Sequence, residues 1–316
     1  MFWSRKKDTA PFGVPLEEIA ASLAQASLKS TLTADAVLVR HHSYTTRITV
    51  APVLAGPASG GGREGRVLVR VVTRLPPAAQ TIFEAPDTVA MMNAFALLGA
   101  MSLDDGVVSL GSRLSLHAGD EAWSCLYLPL LTCVARLGVE AELGRLRGGA
   151  PGDGPAVGAS AWSVRDLEEV RAELAAEFPC RVDGASLTVE FRAAGGRPDQ
   201  VRHLANPAVL SLSADQPHSE IGPGLSCTTR LARRIPDGCD LPSITAHLNR
   251  LEMTGESSAP HFGAWCECIH TGGLAYVSFL PNLLRPVPRL VQHYARWTRQ
   301  RVAWADGVID RMAPGG

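Results

Sequence analysis

The sequence has little of what marks a membrane, secreted or nucleic-acid-binding protein. Its formal net charge is only -1, so no excess of basic residues favours broad nucleic-acid binding. Apolar runs such as VAMMNAFALLGAM are shorter than the roughly 18 residues that a membrane span needs. The basic start MFWSRKK is followed by no apolar stretch, so we expect neither a cleaved signal peptide nor stable membrane anchoring. Seven scattered cysteines without framework spacing favour a cytoplasmic location.

The motifs of catalysis and of phosphate binding are also missing. The dipeptide His41-His42 precedes a serine but lacks a Gly-x-Ser-x-Gly elbow, and neighbouring residues of a strand face opposite sides. The stretch GPASGGGREG lacks the Gly-Lys-Ser/Thr ending of a phosphate loop, so it predicts a hairpin loop. Asp104-Asp105-Gly106 predicts a tight turn. We therefore expect a protein that is not an enzyme.

The segment CECIH offers a possible metal or redox site, with Cys266, Cys268 and His270 on one face of a predicted strand. Successive residues on that face lie about 6.6 Å apart, so the outer pair lies about 13 Å apart. Zinc needs ligand atoms at roughly 2.0 to 2.3 Å, and a disulfide needs Cβ atoms about 4 Å apart. We therefore expect no metal, no disulfide and no cofactor, and a cysteine-dependent enzyme is the third hypothesis for function.

The chain contains signs of an internal repeat. Its 316 residues suit two domains of about 150 residues each. Similar short segments recur in the same order, from Leu16 and Leu167, which are 151 residues apart, to Asn93 and Asn249, which are 156 apart. The other recurring segments are Thr73-Arg74-Leu75 with Thr229-Arg230-Leu231, and Leu128-Pro129 with Leu280-Pro281. Because four matches follow one order, we interpret the chain as a duplicated unit.

A segment rich in glycine and proline, RGGAPGDGPAVGAS, separates the two units. Such a composition sustains neither a helix nor a central strand, so it predicts a flexible linker. The predicted organisation is a flexible N-terminal arm at 1–14, a first domain at 15–146, a linker at 147–160 and a second domain at 161–312.

Hydrophobic periodicity predicts an α+β fold in which each unit has the order helix, three strands, helix, two strands, helix. The five strands of each unit are expected to form an antiparallel sheet. The predicted helices are 16–26, 87–100 and one beginning near Pro129 in the first unit, and 164–178, 241–253 and 285–311 in the second. The predicted strands are 36–40, 45–54, 65–75, 107–117 and 122–128, then 185–193, 206–214, 225–233, 261–270 and 274–280.

Twice over, this order of elements resembles the fold of type III secretion chaperones and their YbjN-like relatives. The supporting residues are Arg74-Leu75-Pro76 and Arg230-Leu231 after the third predicted strands, Asn93 and Asn249 in the middle helices, and the closing Leu-Pro junctions. The resemblance implies a bacterial, cytoplasmic, non-enzymatic chaperone or adaptor that binds an unfolded or extended segment of a client protein, and no nucleic acid. Such chaperones are usually small, acidic, single-unit chains, whereas this chain is near neutral and duplicated.

Single-unit relatives of this fold are often dimers, so the resemblance implies that the two units pack on each other as an intramolecular pseudo-dimer in a monomeric chain. The candidate peptide-binding residues are Trp265, Tyr276 and Phe279, with core packing as the alternative. The alternative function is a regulatory or immunity-type module that binds a folded partner. An apolar stripe with surface arginines on the last helix fits either a docking helix or a partner-binding face.

Overall fold

The computed structural model describes residues 16–136, with gaps at 42–43, 53–65, 76–85, 95, 97, 118–122 and 124–126. It also describes residues 161–312, with gaps at 192–207, 216, 219–221, 234, 236–238, 269–271 and 283–285. We call 16–136 the first half and 161–312 the second half. The predicted arm, the predicted linker and the GPASGGGREG loop lie outside the described residues.

Each half contains helices and one six-stranded sheet. The first half comprises α1 (Leu16–Gln25), β1 (Ser30–Leu32), β2 (Ala36–Arg40), β3 (Thr45–Pro52), β4 (Arg66–Arg74), α2 (Pro86–Asn93), β5 (Ala100–Asp104), β6 (Val107–His117) and α3 (128–136). The second half comprises α4 (Val164–Leu174), β7 (Cys180–Asp183), β8 (Ser186–Phe191), β9 (Ala208–Ser213), β10 (Gly224–Arg230), α5 (Leu241–Thr254), β11 (Gly263–Glu267), β12 (Leu274–Pro281) and α6 (Pro288–Met312).

Both sheets are antiparallel throughout and have the same strand order. The first sheet runs β1-β2-β3-β4-β6-β5 and the second runs β7-β8-β9-β10-β12-β11. In each sheet the fourth strand therefore pairs with the sixth, and the fifth lies at the edge. The fourth strands end at equivalent residues, Arg74 and Arg230. The next residue of each half donates its backbone N–H to a carbonyl of the sixth strand: Leu75 donates to Val108, and Leu231 donates to Leu274.

The prediction of three strands before the middle helix is wrong, because the described residues of each half already form four there. The missed strands are β1 and β7, which have only three and four residues and contain no buried residue. The predicted last pair of the first unit is wrong as well. Its strand 107–117 pairs with β5, and the described residues of the predicted strand 122–128 are not in a strand.

The predicted helix 87–100 ends early, at Asn93. The apolar residues after Asn93 suited a helix, but residues 100–104 form a hairpin with β6 across Asp105 and Gly106. Both turn residues have positive φ, 51° and 75°, as a two-residue hairpin turn requires. The turn prediction is thus confirmed, and its flanking strand was missed.

The two Leu-Pro junctions are not the same structural position. Leu280 and Pro281 end strand β12, whereas Leu128 and Pro129 begin helix α3. In the first half, a segment of ten residues separates the end of β6 at His117 from this helix. The match between these dipeptides therefore does not mark an equivalent position in the two halves.

The first helices of the two halves cover their sheets in the same way. Helix α1 buries Ile19 and Leu23, and α4 buries Leu167, Val170 and Leu174. These residues recur at helical spacing, as the sequence predicted, and they belong to one apolar core that includes both sheets. No helix in the described ranges is long and apolar enough to cross a membrane.

The halves are joined where β6 extends beyond its pairing with the edge strand β5, which covers only residues 107–111 of β6. Arg113 of β6 and the segment before β11 form a two-way backbone bridge, with N–H to O distances of 2.7 and 2.6 Å between Arg113 and His261. Helix α5 of the second half lies across the first sheet, where Arg70 donates to the carbonyl of Thr254 at 3.2 Å. Reciprocally, α2 of the first half contacts β11.

Candidate functional site: a cleft at the junction of the halves

A cleft of about 390 Å³ lies between α2 and β5 of the first half and α5 of the second. This volume falls within the range of ligand sites in proteins, about 300 to 1,000 Å³. Its walls are both apolar and polar. The lining residues are Val89, Ala90 and Asn93 of α2, Met101, Ser102, Leu103 and Asp104 of β5, and Ser243, Ala246, His247 and Arg250 of α5.

Asn93 caps the edge of β5 inside this cleft. Its side-chain carbonyl accepts the N–H of Met101 at 2.7 Å, and its side-chain amide donates to the carbonyl of Met101 at 3.0 Å. Both contacts are buried. The asparagine thus makes the paired contacts that a neighbouring strand would make at this residue, so no further strand can pair there.

The next outward-facing residue of β5 is Leu103. In an antiparallel pair, alternate residues turn their backbone groups toward the partner strand or away from it. Because Met101 turns its groups away from β6, Leu103 does so too, and these groups face the cleft. Within the described ranges no residue pairs with the backbone of Leu103. Among the described residues, the cleft therefore contains one backbone donor and one backbone acceptor of a sheet edge that have no partner.

The walls carry opposite charges. Asp104 is exposed at the end of β5, where it accepts a hydrogen bond from Ser102 at 3.1 Å. Across the cleft, Arg250 is exposed on α5 and its Nη2 lies 3.1 Å from Nδ1 of His247. Partial burial lowers the pKa of His247, and the neighbouring Arg250 lowers it further. The α5 wall is therefore basic, and its charge comes from Arg250.

The edge of β11 has a matching cap and a different surface. Asn249 bonds the backbone of Trp265 at 2.8 and 2.9 Å, as Asn93 does at Met101. Two residues after Trp265, however, the residue that corresponds to Leu103 is Glu267, which is exposed. A charged residue at a sheet edge disfavours pairing with a further strand.

Beneath α5 lies a cluster of charged side chains that have no access to solvent. Oε1 of Glu252 is 2.8 Å from Nε of Arg301, and its Oε2 is 3.6 Å from Nη2 of Arg113. Arg301 also lies over the ring of Tyr276, at 3.9 Å from its centroid. Arg113 and Arg301 donate to the carbonyls of Ala259 and Pro260 as well. Because Arg113 comes from the first half, this cluster ties the two halves together.

Burial and charge act on Glu252 and His261 in this cluster. Burial alone would raise the pKa of Glu252, but Arg301, His261 and Arg113 together lower it to about 2. Burial lowers the pKa of His261, and the nearby Glu252 carboxylate only partly offsets this. His261 is therefore neutral at neutral pH, and its 3.4 Å contact with Glu252 is not an ion pair. The cluster then holds two guanidinium charges against one carboxylate.

The aromatic residues proposed to contact a client lie in the protein core. The exposed fraction of Trp265 and of Tyr276 is 0 %, and that of Phe279 is 1 %. Trp265 donates to Glu252 at 3.3 Å, and Tyr276 accepts the N–H of Gly263 at 2.8 Å. A bound segment cannot reach these side chains in this conformation, so core packing describes all three.

Cys266 and Cys268 are free thiols, and both are buried in a small apolar cluster that packs against Ala94, the residue after α2. Burial raises the pKa of the Cys266 thiol to about 12, so little thiolate forms at neutral pH. His270 lies outside the described residues. Within the described part of the chain, no three His, Cys, Asp or Glu side chains are grouped so that they could hold a metal ion.

A scan against protein-family models, a search of curated proteins and a search of solved structures each find no match to this chain.

Sequence reasoning missed most residues of the cleft and the three charged members of the buried cluster. In the sequence, Asn93 and Asn249 stand out only as markers of a repeat, although an asparagine within an apolar stretch is a signal of a buried hydrogen-bonding role. The sequence pattern predicts Asp104 as a turn residue alone. Nothing in the local pattern distinguishes Arg113, Glu252 or Arg301 from charged residues at the surface.

Proposed function

We propose that this protein is a non-enzymatic chaperone or adaptor that holds an extended segment of a client protein in the cleft between its halves. The proposal includes two tandem units that resemble type III secretion and YbjN-like chaperones, in a bacterial cytoplasm. The shared strand order of the sheets and the paired asparagine caps support a duplicated unit. The buried, high-pKa thiol of Cys266 argues against a cysteine nucleophile.

The observation that carries this proposal is the free edge of β5 at Leu103, inside a cleft whose lining is partly apolar. An extended segment can form backbone hydrogen bonds there while its side chains contact Val89, Ala90 and Ala246. Backbone pairing depends little on side-chain identity, which suits a protein that holds varied unfolded segments. Apolar walls add affinity for the hydrophobic side chains that unfolded proteins expose.

We also propose that the chain is a monomer in which the two halves form an intramolecular pseudo-dimer. The Arg113–His261 bridge and the buried contact of Glu252 with Arg113 join the two halves within one chain, which supports this arrangement. Light scattering of the full-length chain is expected to give the mass of one chain, 33.5 kDa. A stable dimer at micromolar concentration contradicts this part of the proposal.

The experiment that tests client binding uses reduced, carboxymethylated α-lactalbumin, a permanently unfolded probe. We expect the full-length chain to bind this probe in fluorescence anisotropy and to protect part of it from proteolysis. The variant Ala246→Trp fills the cleft and is expected to weaken binding about tenfold or more. Ala303→Trp, at an exposed position on α6, is the matched control and is expected to bind normally.

Two outcomes contradict the proposal. One is that the unfolded probe does not bind, while a folded protein does, which instead favours a regulatory or immunity-type module. The other is that the unfolded probe binds equally well to Ala246→Trp and to the unaltered chain. In both cases the circular dichroism spectra of the variants must match that of the unaltered chain.

A further inference from the structure

The geometry points to a specific ligand for this cleft: the free C-terminal carboxylate of an extended chain whose last side chain is apolar. This inference rests on the proposed function, because it assumes that the cleft holds an extended segment. It goes further by stating which part of a client is bound. Three features of the cleft carry it: its length, the position of Asn93, and the charges of its walls.

The cleft has room for only a few residues. From Ser243 to Arg250 helix α5 advances about 10 Å, and from Met101 to Asp104 strand β5 advances about 10 Å. An extended chain covers this distance in about three residues. The site therefore suits a short recognition element better than a long strand.

Asn93 stops the pairing of an incoming strand. A segment that pairs with Leu103 cannot continue along β5, because the side chain of Asn93 already occupies both backbone groups of Met101. The segment must therefore end or turn away beside Asn93. A chain terminus meets this requirement without a turn. It also avoids burying the polar groups of a further peptide bond, which have no partner left on this edge.

The charges decide which terminus is bound. Arg250, with His247 beside it, is the basic group that lines the cleft, and it is exposed and able to form a charge-assisted hydrogen bond with a carboxylate. Asp104 lies on the opposite wall, at the turn end of β5, where the segment enters. It favours a basic residue two or three positions before the terminus. Met253, about one turn after Arg250, lies against Gly111. The partner of Gly111 on β5 is Ala100, so Arg250 is at the end of the cleft near Met101. An amino terminus beside Asn93 would therefore place its positive charge next to Arg250, whereas a carboxylate there is paired by it and lies away from Asp104.

Val89, Ala90 and Ala246 provide the apolar part of the lining. We infer that they contact the last side chain of the bound segment, since small apolar lining residues leave room for a branched aliphatic side chain. The complete ligand is then a basic residue, one or two residues of any type, and an apolar residue with a free carboxylate.

Fluorescence anisotropy with N-terminally labelled peptides tests this inference on the full-length chain. The first probe is Gly-Lys-Ser-Thr-Leu with a free carboxylate, the second is its C-terminal amide, and the third is the amide of Gly-Lys-Glu-Thr-Leu, whose carboxylate is internal. We expect both amides to bind about tenfold or more weakly than the free acid, as the loss of one charge-assisted hydrogen bond predicts.

Matched variants identify the groups involved. Arg250→Gln is expected to weaken binding of the free acid about tenfold and to change binding of the first amide less than twofold. Asp104→Asn is expected to remove the preference for Lys over Gln in the second position of the peptide. Arg289→Gln, an exposed arginine on α6, is the control and is expected to have no effect.

The outcomes separate this inference from the proposed function. Three results overturn the terminus inference. The free acid and the first amide bind equally well, the free acid and the peptide with the internal carboxylate bind equally well, or the free acid does not bind. Client binding is then still judged by the effect of Ala246→Trp on the unfolded probe. If the free acid binds in the cleft but unfolded α-lactalbumin is not protected, the terminus inference stands and the chaperone proposal fails.

Discussion

The edge strands β5 and β11 occupy the same place in the two sheets, yet they meet different surroundings. An asparagine caps each strand with the same two hydrogen bonds, Asn93 at Met101 and Asn249 at Trp265. Beyond the cap, β5 faces a cleft with Leu103, and β11 carries the exposed Glu267. The cap that limits strand pairing is thus present in both halves, and only one edge combines an apolar residue with an open cleft.

The helices that carry the two caps differ in a related way. Three residues after Asn249, α5 carries the buried Glu252, and three residues after Asn93 the chain has Ala96, also buried. Helix α5 is longer than α2 and extends across the first sheet, so its glutamate reaches Arg113 of the other half. Equivalent asparagine contacts therefore hold the edge strands β5 and β11 in the two halves. Only the helix of the second half carries the glutamate that contacts Arg113 of the first half.

The substitution Glu252→Gln tests this difference most strongly. It leaves two buried guanidinium groups without a compensating charge, which is expected to lower the free energy of unfolding by about 3 to 5 kcal/mol. Urea denaturation measures this loss. Glu256→Gln, at an exposed position just after α5, is the control, and we expect it to change stability by less than about 0.5 kcal/mol. Equal effects of the two substitutions contradict the importance of the buried cluster.

Replacing each capping asparagine by alanine tests whether the two caps are equivalent. Each change removes two buried hydrogen bonds and leaves a backbone donor and acceptor without a partner, at a cost of about 2 to 3 kcal/mol. Urea denaturation of Asn93→Ala and Asn249→Ala should therefore give similar losses. A difference of more than about 1 kcal/mol contradicts the equivalence.

Gly111→Val tests how α5 is seated on the first sheet. By the register of the sixth strands, β12 has Val277 where β6 has Gly111. A Cβ atom at Gly111 would lie 3.1 Å from Sδ of Met253 on α5, so we expect a loss of about 1 to 3 kcal/mol from overpacking. Adding Met253→Ala should restore part of the stability. If the double variant is no more stable than Gly111→Val, the contact with Met253 is not the cause.

Lowering the pH should weaken the junction of the halves gradually. Because the folded pKa of His261 lies below 6.5, the unfolded chain binds a proton that the folded chain does not, and stability falls as the pH drops below about 6.5. A second loss begins near pH 4.5 and is complete near pH 2, because the folded pKa of Glu252 is about 2. Thermal unfolding between pH 7 and pH 5 measures the first loss, which His261→Gln is expected to reduce. An unchanged slope in that variant assigns the loss to another group.

The sequence by itself determined the elements whose pattern is local. Helices α1 and α4 follow from apolar residues at helical spacing, and strand β8 follows from the alternation of Leu187, Val189 and Phe191 with polar neighbours. The turn at Asp105-Gly106 was predicted for the same reason. These signals lie within a few residues, so a single segment contains them completely.

Only the tertiary structure decided where the middle helix of the first half ends and which charged side chains are buried as partners of one another. The apolar residues after Asn93 suit a helix, but the asparagine bonds the backbone of Met101 and the hairpin with β6 fixes those residues as a strand. Arg113 and Glu252 come from different halves and become partners only when α5 crosses the first sheet. Their pairing depends on burial and on contacts distant in the chain, neither of which a local pattern contains.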